Sequence, residues 1–432
     1  MTVHSGPPES LNLNVRGMRP SATVAINEHS NALIAAGRTV YKLGLGQSPF
    51  PVPPTVVESL RQHAHRKEYL PVRGLAALRS AVADFHRRRA GLAMRCDADD
   101  VLVAPGSKEL MFIVQLAFYG DLLLPSPSWV SYSPQARIIG RQVDFLPTRA
   151  EDRWMLRPDT LDAHCRRDRG RPRILILNYP SNPTGQTFSA DELAALAEVA
   201  REHQLIVISD EIYGELHHEG AHHSIAQFYP EGTILSSGLS KWCGAGGWRL
   251  GTFLFPPQLR WLRDAMTAIA SETYTTTSAP IQCAAVTAFE CGPEIEDYLV
   301  RARRILRALG TWGSERLTAA GALCHRPEGG FYLFPDFTRH MGSLGRRGIA
   351  DGEALCMRLL AETGVAVLPG SDFGRPRGDW TARLAYVDFE GEPALAEVAR
   401  EPTAALDEAW LRRMTPRVTT AIDRMCEWLT HE

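Results

Sequence analysis

The stretch RILILNYPSNPTGQTFSADELAALAEVAREHQLIVISDE, residues 173–211, indicates the fold class most directly. It begins and ends with short apolar runs, and the segment between them has helical periodicity. Ser189, followed three residues later by Glu192, matches a capping box and marks where that helix begins. A strand, a helix and a second strand in this order predict two neighbouring parallel strands joined by a helical crossover.

The alternation of strands and helices continues on both sides of this stretch. Further apolar runs predict strands in DVLVAPGS, DLLLPSP, TILSSGLS and GTFLFP. After residue 310 the pattern changes, because GGFYLFPDF and TARLAYVDFE are typical of antiparallel strands. The predicted fold is α/β: a large domain with a mostly parallel sheet covered by helices on both faces, plus a smaller α+β domain.

Composition and charge exclude several classes of function. The 432 residues carry a formal net charge of −2, so we expect no nucleic-acid partner. The basic runs HRRR (86–89) and RRDRGRPR (166–173) are interpreted as a solvated helix face and a surface loop. No apolar run reaches the roughly 18–20 residues that a membrane span needs. The eight cysteines are scattered and no signal-peptide pattern is seen, which predicts a reduced, cytoplasmic protein.

Polar clusters follow four of the predicted strands: PGSK, NYPSNPTG, SDEIYG and SSGLSK. Ligands of parallel sheets bind beyond the carboxyl ends of the strands, so we expect the four clusters to form one shared site.

The last of these clusters continues as SSGLSKWCGAGGWRLG (236–251), which places Lys241 among small residues and Arg249 after a glycine-rich turn. A ligand with both a carbonyl and a phosphate suits this arrangement, because lysine forms an imine with the carbonyl and arginine binds the phosphate. A dinucleotide fingerprint does not fit, since the sixth position counted from Gly244 is Arg249 rather than glycine.

The lysine segment resembles that of the fold-type I pyridoxal-phosphate (PLP) enzymes, specifically the class I/II aminotransferases. In that family a small residue precedes the lysine by three positions and an arginine follows it by eight, as Gly238, Lys241 and Arg249 do here. The resemblance covers about residues 40–430 and implies an aspartate-aminotransferase-like fold. The implied divisions are an N-terminal arm with part of the small domain (1–62), a large PLP-binding domain (63–310) and a C-terminal small domain (311–432).

The resemblance also implies roles for residues around the cofactor ring. Asn182 and Tyr213 would hydrogen-bond the ring hydroxyl, and Asp210 would pair with the protonated pyridine nitrogen. Trp129 would stack on the ring. Lys241 would hold PLP as a Schiff base and then move the α-proton of the substrate. The implied catalytic residues are Lys241, Asp210 and Tyr213.

The phosphate side departs from the family in one position. Many members carry a hydroxyl residue three positions before the lysine, and here that residue is Gly238. Ser240 or Ser237 would have to compensate. The implied phosphate ligands are Ser107, Lys108, Ser240 and Arg249.

Four further residues concern the substrate and a second subunit. Arg383 would clamp the substrate α-carboxylate, beside Asn182 and the backbone of Gly46. Tyr69 and Thr277 lie in segments that contact the neighbouring subunit's cofactor in the family. The resemblance therefore implies a homodimer with shared active sites.

The implied reaction moves an amino group between an L-amino acid and a 2-oxo acid. A PLP-dependent lyase, synthase, decarboxylase or oxidase on the same fold is the alternative. A regulator that reuses the fold is disfavoured, since the first forty residues are too short for a DNA-binding module and are not basic.

Three remaining features concern metal binding and substrate choice. The run ELHHEGAHHS, with histidines at 217, 218, 222 and 223, is interpreted as a surface loop without a metal. Arg73 is either a contact to the substrate side chain from the partner subunit or a structural charge. The segment SETYT (271–275) lacks the arginine of some dicarboxylate-specific relatives, which weakens a strict preference for aspartate and glutamate.

Overall fold

A computed structural model describes residues 10–90 and 96–431. Twelve strands occur in this described part of the chain. They are β1 (Tyr41–Lys42), β2 (Val101–Ala104), β3 (Asp121–Ser126), β4 (Val143–Pro147), β5 (Arg173–Asn178), β6 (Ile206–Asp210), β7 (Thr233–Gly238), β8 (Gly251–Leu254), β9 (Tyr332–Leu333), β10 (Val365–Ala366), β11 (Leu368–Pro369) and β12 (Ala382–Ala385).

Fifteen α-helices occur in the same described residues. They are α1 (Ala22–Ala35), α2 (Pro54–His63), α3 (Ala76–Ala90), α4 (Ser107–Ala117), α5 (Tyr132–Ile138), α6 (Pro158–Cys165), α7 (Ala190–Glu202), α8 (Arg260–Glu272), α9 (Ala279–Glu290), α10 (Pro293–Ala319), α11 (Met341–Arg346), α12 (Gly352–Thr363), α13 (Gly391–Arg400), α14 (Glu408–Met414) and α15 (Pro416–Thr430).

The large sheet has seven strands in the order β2-β8-β7-β6-β5-β3-β4. The five strands from β7 to β4 are parallel, and β8 is antiparallel to both of its neighbours. The predicted, mostly parallel sheet is therefore confirmed. Its strands are continuous apolar runs because helices cover both faces, leaving β6 and β7 buried at every residue.

The crossover in residues 173–211 forms as predicted. Ser189 caps α7: its hydroxyl accepts from the backbone N–H of Glu192, whose carboxylate accepts in return from the N–H of Ser189. Four residues of α7 (Leu193, Leu196, Ala197 and Ala200) are buried, and the helix packs against the sheet as part of an apolar cluster that also includes Val207 of β6.

A smaller part of the molecule contains the remaining strands. β9, β12 and β11 form an antiparallel sheet, in which Leu384 pairs with Leu333. β1, near the N-terminus, pairs in parallel with β10. The N-terminal segment therefore completes a structure made mainly by the C-terminal third, and the 27-residue helix α10 packs against α13 and α15 of that third.

Two basic runs differ from the sequence prediction in detail. In HRRR, His86 is 4% exposed because it lies on the inner face of α3, so only the arginines form the solvated face. In RRDRGRPR, Arg173 is also buried, because it is already the first residue of β5.

All eight cysteines are free and all but Cys291 are buried. None of the helices in the described residues has the length and apolar character needed to cross a bilayer.

Candidate active site

The predicted site residues converge at the carboxyl ends of three neighbouring strands. The register aligns Asn178 of β5 with Asp210 of β6, and Asp210 with Ser236 of β7. Lys241 follows β7 by three residues, and Asn182 follows β5 by four. Because these strands are parallel, their ends meet at one edge of the sheet and bring chemistry from distant sequence positions together.

Lys241 is partly buried, and its Nζ donates a hydrogen bond to the carbonyl oxygen of Gly46 over 2.7 Å. Nζ also lies 5.7 Å from the ring centroid of Tyr213 and 5.9 Å from that of Phe331. Burial, together with the charges of Arg383 and other nearby cations, lowers the pKa of Lys241 to about 8. A substantial fraction of the amine is therefore neutral, and so nucleophilic, near neutral pH.

Asp210 lies at the bottom of the same site and is 4% exposed. Its carboxylate accepts a hydrogen bond from Tyr132 Oη at 2.5 Å and one from Ser236 Oγ at 3.1 Å. Burial raises the pKa of Asp210 to about 6, although both hydrogen bonds act in the opposite direction. Two donors thus orient the carboxylate, and a cationic partner would stabilise its ionised form.

Tyr213 and Asn182 have partners within the site. The hydroxyls of Tyr213 and Tyr332 lie 2.7 Å apart, and burial raises the pKa of Tyr213 well above its ordinary value. Asn182 is held by its backbone N–H, which donates to Asn178 Oδ1 at 2.8 Å. The backbone of Gly46 lies close to the Tyr332 hydroxyl: a Cβ at position 46 would be 1.9 Å from Tyr332 Oη.

Arg383 is 1% exposed and reaches the site from β12. One Nη donates to Asn182 Oδ1 at 3.3 Å and the other to the carbonyl oxygen of Gly44. Its guanidinium lies between the rings of Tyr332 and Phe373, 4.9 and 5.0 Å from their centroids. Nε has no partner. A buried guanidinium without a carboxylate partner among the described residues is suited to bind one from a ligand.

Arg249 borders the site at the N-terminus of α4. It adopts a left-handed backbone conformation (φ 56°), and its side chain donates to the carbonyls of Gly246 and Pro105 at 3.0 and 3.2 Å. Gly106 leaves room for it, because a Cβ there would lie 2.2 Å from Arg249 Nη2. Lys108, in the first turn of α4, has its Nζ 5.4 Å from the ring centroid of Trp129. Burial and the charge of Arg249 lower the pKa of Lys108.

The close approach of β7 to β8 explains why residue 238 is glycine. A Cβ at Gly238 would lie 2.7 Å from the carbonyl oxygen of Leu250, so the backbone leaves no space for a side chain. The expectation that Ser237 compensates is wrong: Ser237 lines a cavity with His86 and Glu211 on the other side of the strand. Ser240 is partly exposed on the turn before Lys241.

The segments expected at a subunit boundary differ in exposure. Tyr69 is 90% exposed, as a side chain that contacts another subunit would be in the isolated chain. Thr277 is 4% exposed, so its own chain already covers it. The structure does not support Thr277 as that contact, and its neighbours Thr275 and Ser278 are the exposed residues of this segment. The side chain of Arg73 donates to Asp99, which supports the structural-charge interpretation.

The histidine run is not a surface loop throughout. His218 is buried, and its ring nitrogens each lie 3.1 Å from a carbonyl oxygen, of Pro327 and of Gly330. His222 packs beside Glu211. In the described residues, the grouping with metal-ligand spacing is Asp162, Glu202 and His203, away from this run.

Three contributors to the site were missed by the sequence reasoning: Tyr132, Ser236 and Tyr332. Tyr132 had a usable signal, because it lies three residues after Trp129 in the motif PSPSWVSY. Ser236 and Tyr332 carried no local signal, since their partners lie 26 and 119 residues away.

Comparison with known proteins identifies the family. The profile described as "Aminotransferase class I and II" matches residues 38–386, most of the chain. The chain belongs to the class I and II aminotransferases. This aminotransferase is 33% identical over 382 residues to the aspartate aminotransferase of Geobacillus stearothermophilus, covering 86% of this chain and 93% of that protein. It is 32% identical to the aspartate/prephenate aminotransferase of Thermus thermophilus, covering 88% and 95%.

Solved structures agree with this assignment. The aminotransferase superposes on an aspartate aminotransferase from Thermus thermophilus with maleate with a TM-score of 0.80, at 32% identity, covering 91% of this chain and all of that one. An aromatic aminotransferase from Pyrococcus horikoshii gives a TM-score of 0.76 at 28% identity, covering 93% and 98%. The predicted family, fold and enzyme class are confirmed.

Proposed function

We propose that this aminotransferase binds PLP through Lys241 and transfers an amino group from an acidic L-amino acid to a 2-oxo acid. The observation that carries the proposal is the partly buried Lys241 amine, whose pKa is lowered to about 8 and whose side-chain hydrogen bond goes to the backbone carbonyl of Gly46. A lysine held in this way is ready to react with an aldehyde.

The residues around Lys241 fit this cofactor. Asp210 is a buried carboxylate with raised pKa, which a cationic ring nitrogen would stabilise. Arg249, the backbone around Gly106 and the N-terminus of α4, with Ser107 and Lys108, suit a phosphate. Asn182 and Tyr213 would contact the ring hydroxyl, and Trp129 would cover the ring. When bound, PLP supplies an aldehyde carbon and an electron-withdrawing ring.

The protein's own groups then bind the substrate and move its proton. Arg383 exchanges its contacts with Asn182 and Gly44 for a bidentate pair with the α-carboxylate, which orients the amino acid. The Lys241 amine, once free, takes the α-proton and later returns it, because its lowered pKa lets it act as base and acid near neutral pH. Asp210 keeps its negative charge opposite the ring nitrogen throughout.

An acidic donor is supported by the relatives. The four cations of the site, Lys108, Lys241, Arg249 and Arg383, are already matched in charge by Asp210, a phosphate dianion and one α-carboxylate, so the charge count does not select the donor. Several similar proteins are named aspartate or aspartate/prephenate aminotransferases, which favours the same donor class here.

We further propose a homodimer whose subunits share their active sites, organised as an N-terminal arm and small-domain segment (1–62), a large domain (63–310) and a C-terminal small domain (311–432). The exposure of Tyr69 supports the dimer. The pairing of β1 with β10 supports the assignment of the N-terminal segment to the small domain. Sedimentation of the holoenzyme tests the dimer, and a monomeric active enzyme contradicts it.

One experiment tests the cofactor and the reaction together. Borohydride reduction of the PLP-loaded enzyme followed by peptide mapping should locate the label on Lys241. A panel of amino donors, each scored for loss of the aldehyde absorption, should give the fastest conversion with aspartate or glutamate. A 2-oxo acid should then restore that absorption. Release of ammonia or carbon dioxide without an oxo-acid acceptor contradicts transamination.

A further inference from the structure

A second polar cluster lies directly behind the candidate active site. Side chains alternate across a strand, so Asp210 faces the site at the end of β6 while the next residue, Glu211, faces the opposite side. There Glu211 borders a cavity of about 60 Å³. The other residues that line this cavity include His86, Arg89, Glu215, His222, Ser237 and Arg303.

Glu211 is the centre of a buried hydrogen-bond network. It is 8% exposed, and its Oε1 accepts from Ser209 Oγ at 2.7 Å and from Ser224 Oγ at 2.5 Å. The Ser209 hydroxyl also lies 2.6 Å from that of Tyr179, which accepts from the backbone N–H of Ile225. This network connects β6 to the segment after Tyr213, so Glu211 is fixed relative to Asp210.

The charge of Glu211 has one counter-charge at ion-pair distance in the described chain. His222 Nε2 lies 3.1 Å from Glu211 Oε2, a contact without hydrogen-bond geometry, and both ring nitrogens lack a hydrogen-bond partner. The two arginines of the cavity, Arg89 and Arg303, pair instead with Glu215 at 3.0 and 3.3 Å. The Glu211 carboxylate, next to Asp210 in the sequence, therefore has the His222 ring as its ion-pair partner.

We propose that Glu211 and His222 are positioning residues of the active site: their paired charge, behind the sheet, sets the pH range in which Asp210 is ionised and can hold a cationic ring nitrogen. The inference rests on the proposed function for the ring nitrogen and adds residues that never touch the ligand. The Glu211 charge is among the causes that raise the pKa of Asp210, after burial, in agreement with this geometry.

Other titratable groups lie near Glu211 and His222, and they do not take the place of this pair as the charge beside Asp210. His86 on α3 has a buried Nε2 without a partner, and burial lowers its pKa to about 4, so it is neutral at neutral pH. Burial also lowers the pKa of His217 to about 4. In the described part of the chain, the charged or titratable neighbours of the pair are Tyr179 after β5, Asp210 at the end of β6, Glu215 and His217 after β6, His86 and Arg89 on α3, and Arg303 on α10.

Two substitutions with opposite effects on charge test the proposal. The dissociation constant of PLP is measured from pH 4.5 to 8 for wild type, Glu211→Gln and His222→Gln. Acidification protonates both Asp210 and the Lys241 amine, so the loss of binding due to Asp210 is the part that Asp210→Asn removes. Glu211→Gln removes the neighbouring negative charge and should move the midpoint of this loss to lower pH by roughly 0.5–1 pH unit. His222→Gln leaves Glu211 uncompensated and should move the midpoint to higher pH.

A matched control and a cofactor-free measurement complete the test. Glu215→Gln makes the same charge change in the same cavity, beside arginines rather than beside Asp210, and should leave the midpoint at its wild-type value. Unfolding of the apo-protein, measured for each variant with and without Asp210→Asn, reports the Asp210 titration in the absence of PLP and should give the same order of midpoints.

The outcomes separate the two proposals. If PLP does not bind wild type, the proposed function fails, and the apo-protein series still decides the role of Glu211. If Glu211→Gln and His222→Gln move the midpoint in the same direction or not at all, or if Glu215→Gln moves it as far as Glu211→Gln does, the inference is overturned. A general loss of stability in Glu211→Gln and His222→Gln would not move their midpoints in opposite directions.

Discussion

The hydroxyl of Tyr132 lies 2.5 Å from the Oδ2 of Asp210, and both side chains are buried. A carboxylate in this environment is costly to ionise, and the tyrosine offsets part of that cost by donating to it. The pair therefore links α5 to the end of β6 and determines how readily Asp210 carries its charge.

Tyr132→Phe tests the energetic value of this hydrogen bond. The substitution removes a donor that lowers the pKa of Asp210, so the pKa should rise and PLP should bind about tenfold more weakly at pH 7. Equilibrium titration with PLP gives the dissociation constant. Tyr229→Phe, which loses a hydroxyl bonded to the Leu205 carbonyl at 2.8 Å away from the site, serves as the control. Equal affinity of Tyr132→Phe and wild type contradicts the prediction.

Asp210→Asn should change how the stability of the apo-protein depends on pH. The folded-state pKa of Asp210 is raised to about 6, so its contribution to stability is fully present below the unfolded pKa near 3.9 and is lost as the pH rises through about 6. Asp210→Asn has no carboxyl group to titrate at this position, so its stability does not fall with pH in this way. Relative to wild type, it should gain about 2 kcal/mol between pH 4 and pH 8, as measured by denaturant unfolding. A pH-independent difference contradicts the raised pKa.

Lys241→Ala should abolish covalent capture of the cofactor. Without the amine the enzyme lacks both the group that reacts with the aldehyde and the base for the α-proton, so kcat should fall at least about 10³-fold. Steady-state rates with aspartate and a 2-oxo acid measure this loss, and borohydride reduction should give no label at position 241. Lys108→Ala should keep the label on Lys241. Wild-type turnover by Lys241→Ala would remove the basis of the mechanism.

Arg383→Lys retains the positive charge and removes the planar fork. A single ammonium cannot form the bidentate pair with the α-carboxylate, so kcat/KM for amino donors should fall by about 10²-fold. PLP affinity should stay close to that of wild type. Arg375→Lys is the control, because Arg375 stacks on Trp154 and pairs with Asp379 outside the site. Unchanged kcat/KM in Arg383→Lys would show that another group binds the carboxylate.

Gly238→Ser should destabilise the fold instead of restoring a phosphate ligand. The new Cβ would lie 2.7 Å from the Leu250 carbonyl oxygen, so β7 and β8 must separate, at a cost of about 1–3 kcal/mol. The midpoint of thermal unfolding should fall. Gly247→Ser, where a Cβ would meet no atom within 4 Å, should leave it unchanged. Tighter PLP binding without loss of stability in Gly238→Ser contradicts the steric argument.

Local patterns in the sequence are enough to predict the succession of strands and helices and the residues that follow each strand. Periodicity, the Ser189 cap and the spacing from Lys241 to Arg249 act over a few residues. Such local signals can therefore be recognised in the sequence before the fold is known. They predicted the mostly parallel sheet and the common site at its edge.

Which side chains meet across that edge depends on the tertiary structure. Tyr132 reaches Asp210 from 78 residues away, and Tyr332 reaches Tyr213 from 119. Local patterns do not encode these contacts, because they depend on the register of neighbouring strands and on the approach of the β9 segment to the residues after β6. The same register turns Glu211 away from the site and leaves no room for a side chain at Gly238.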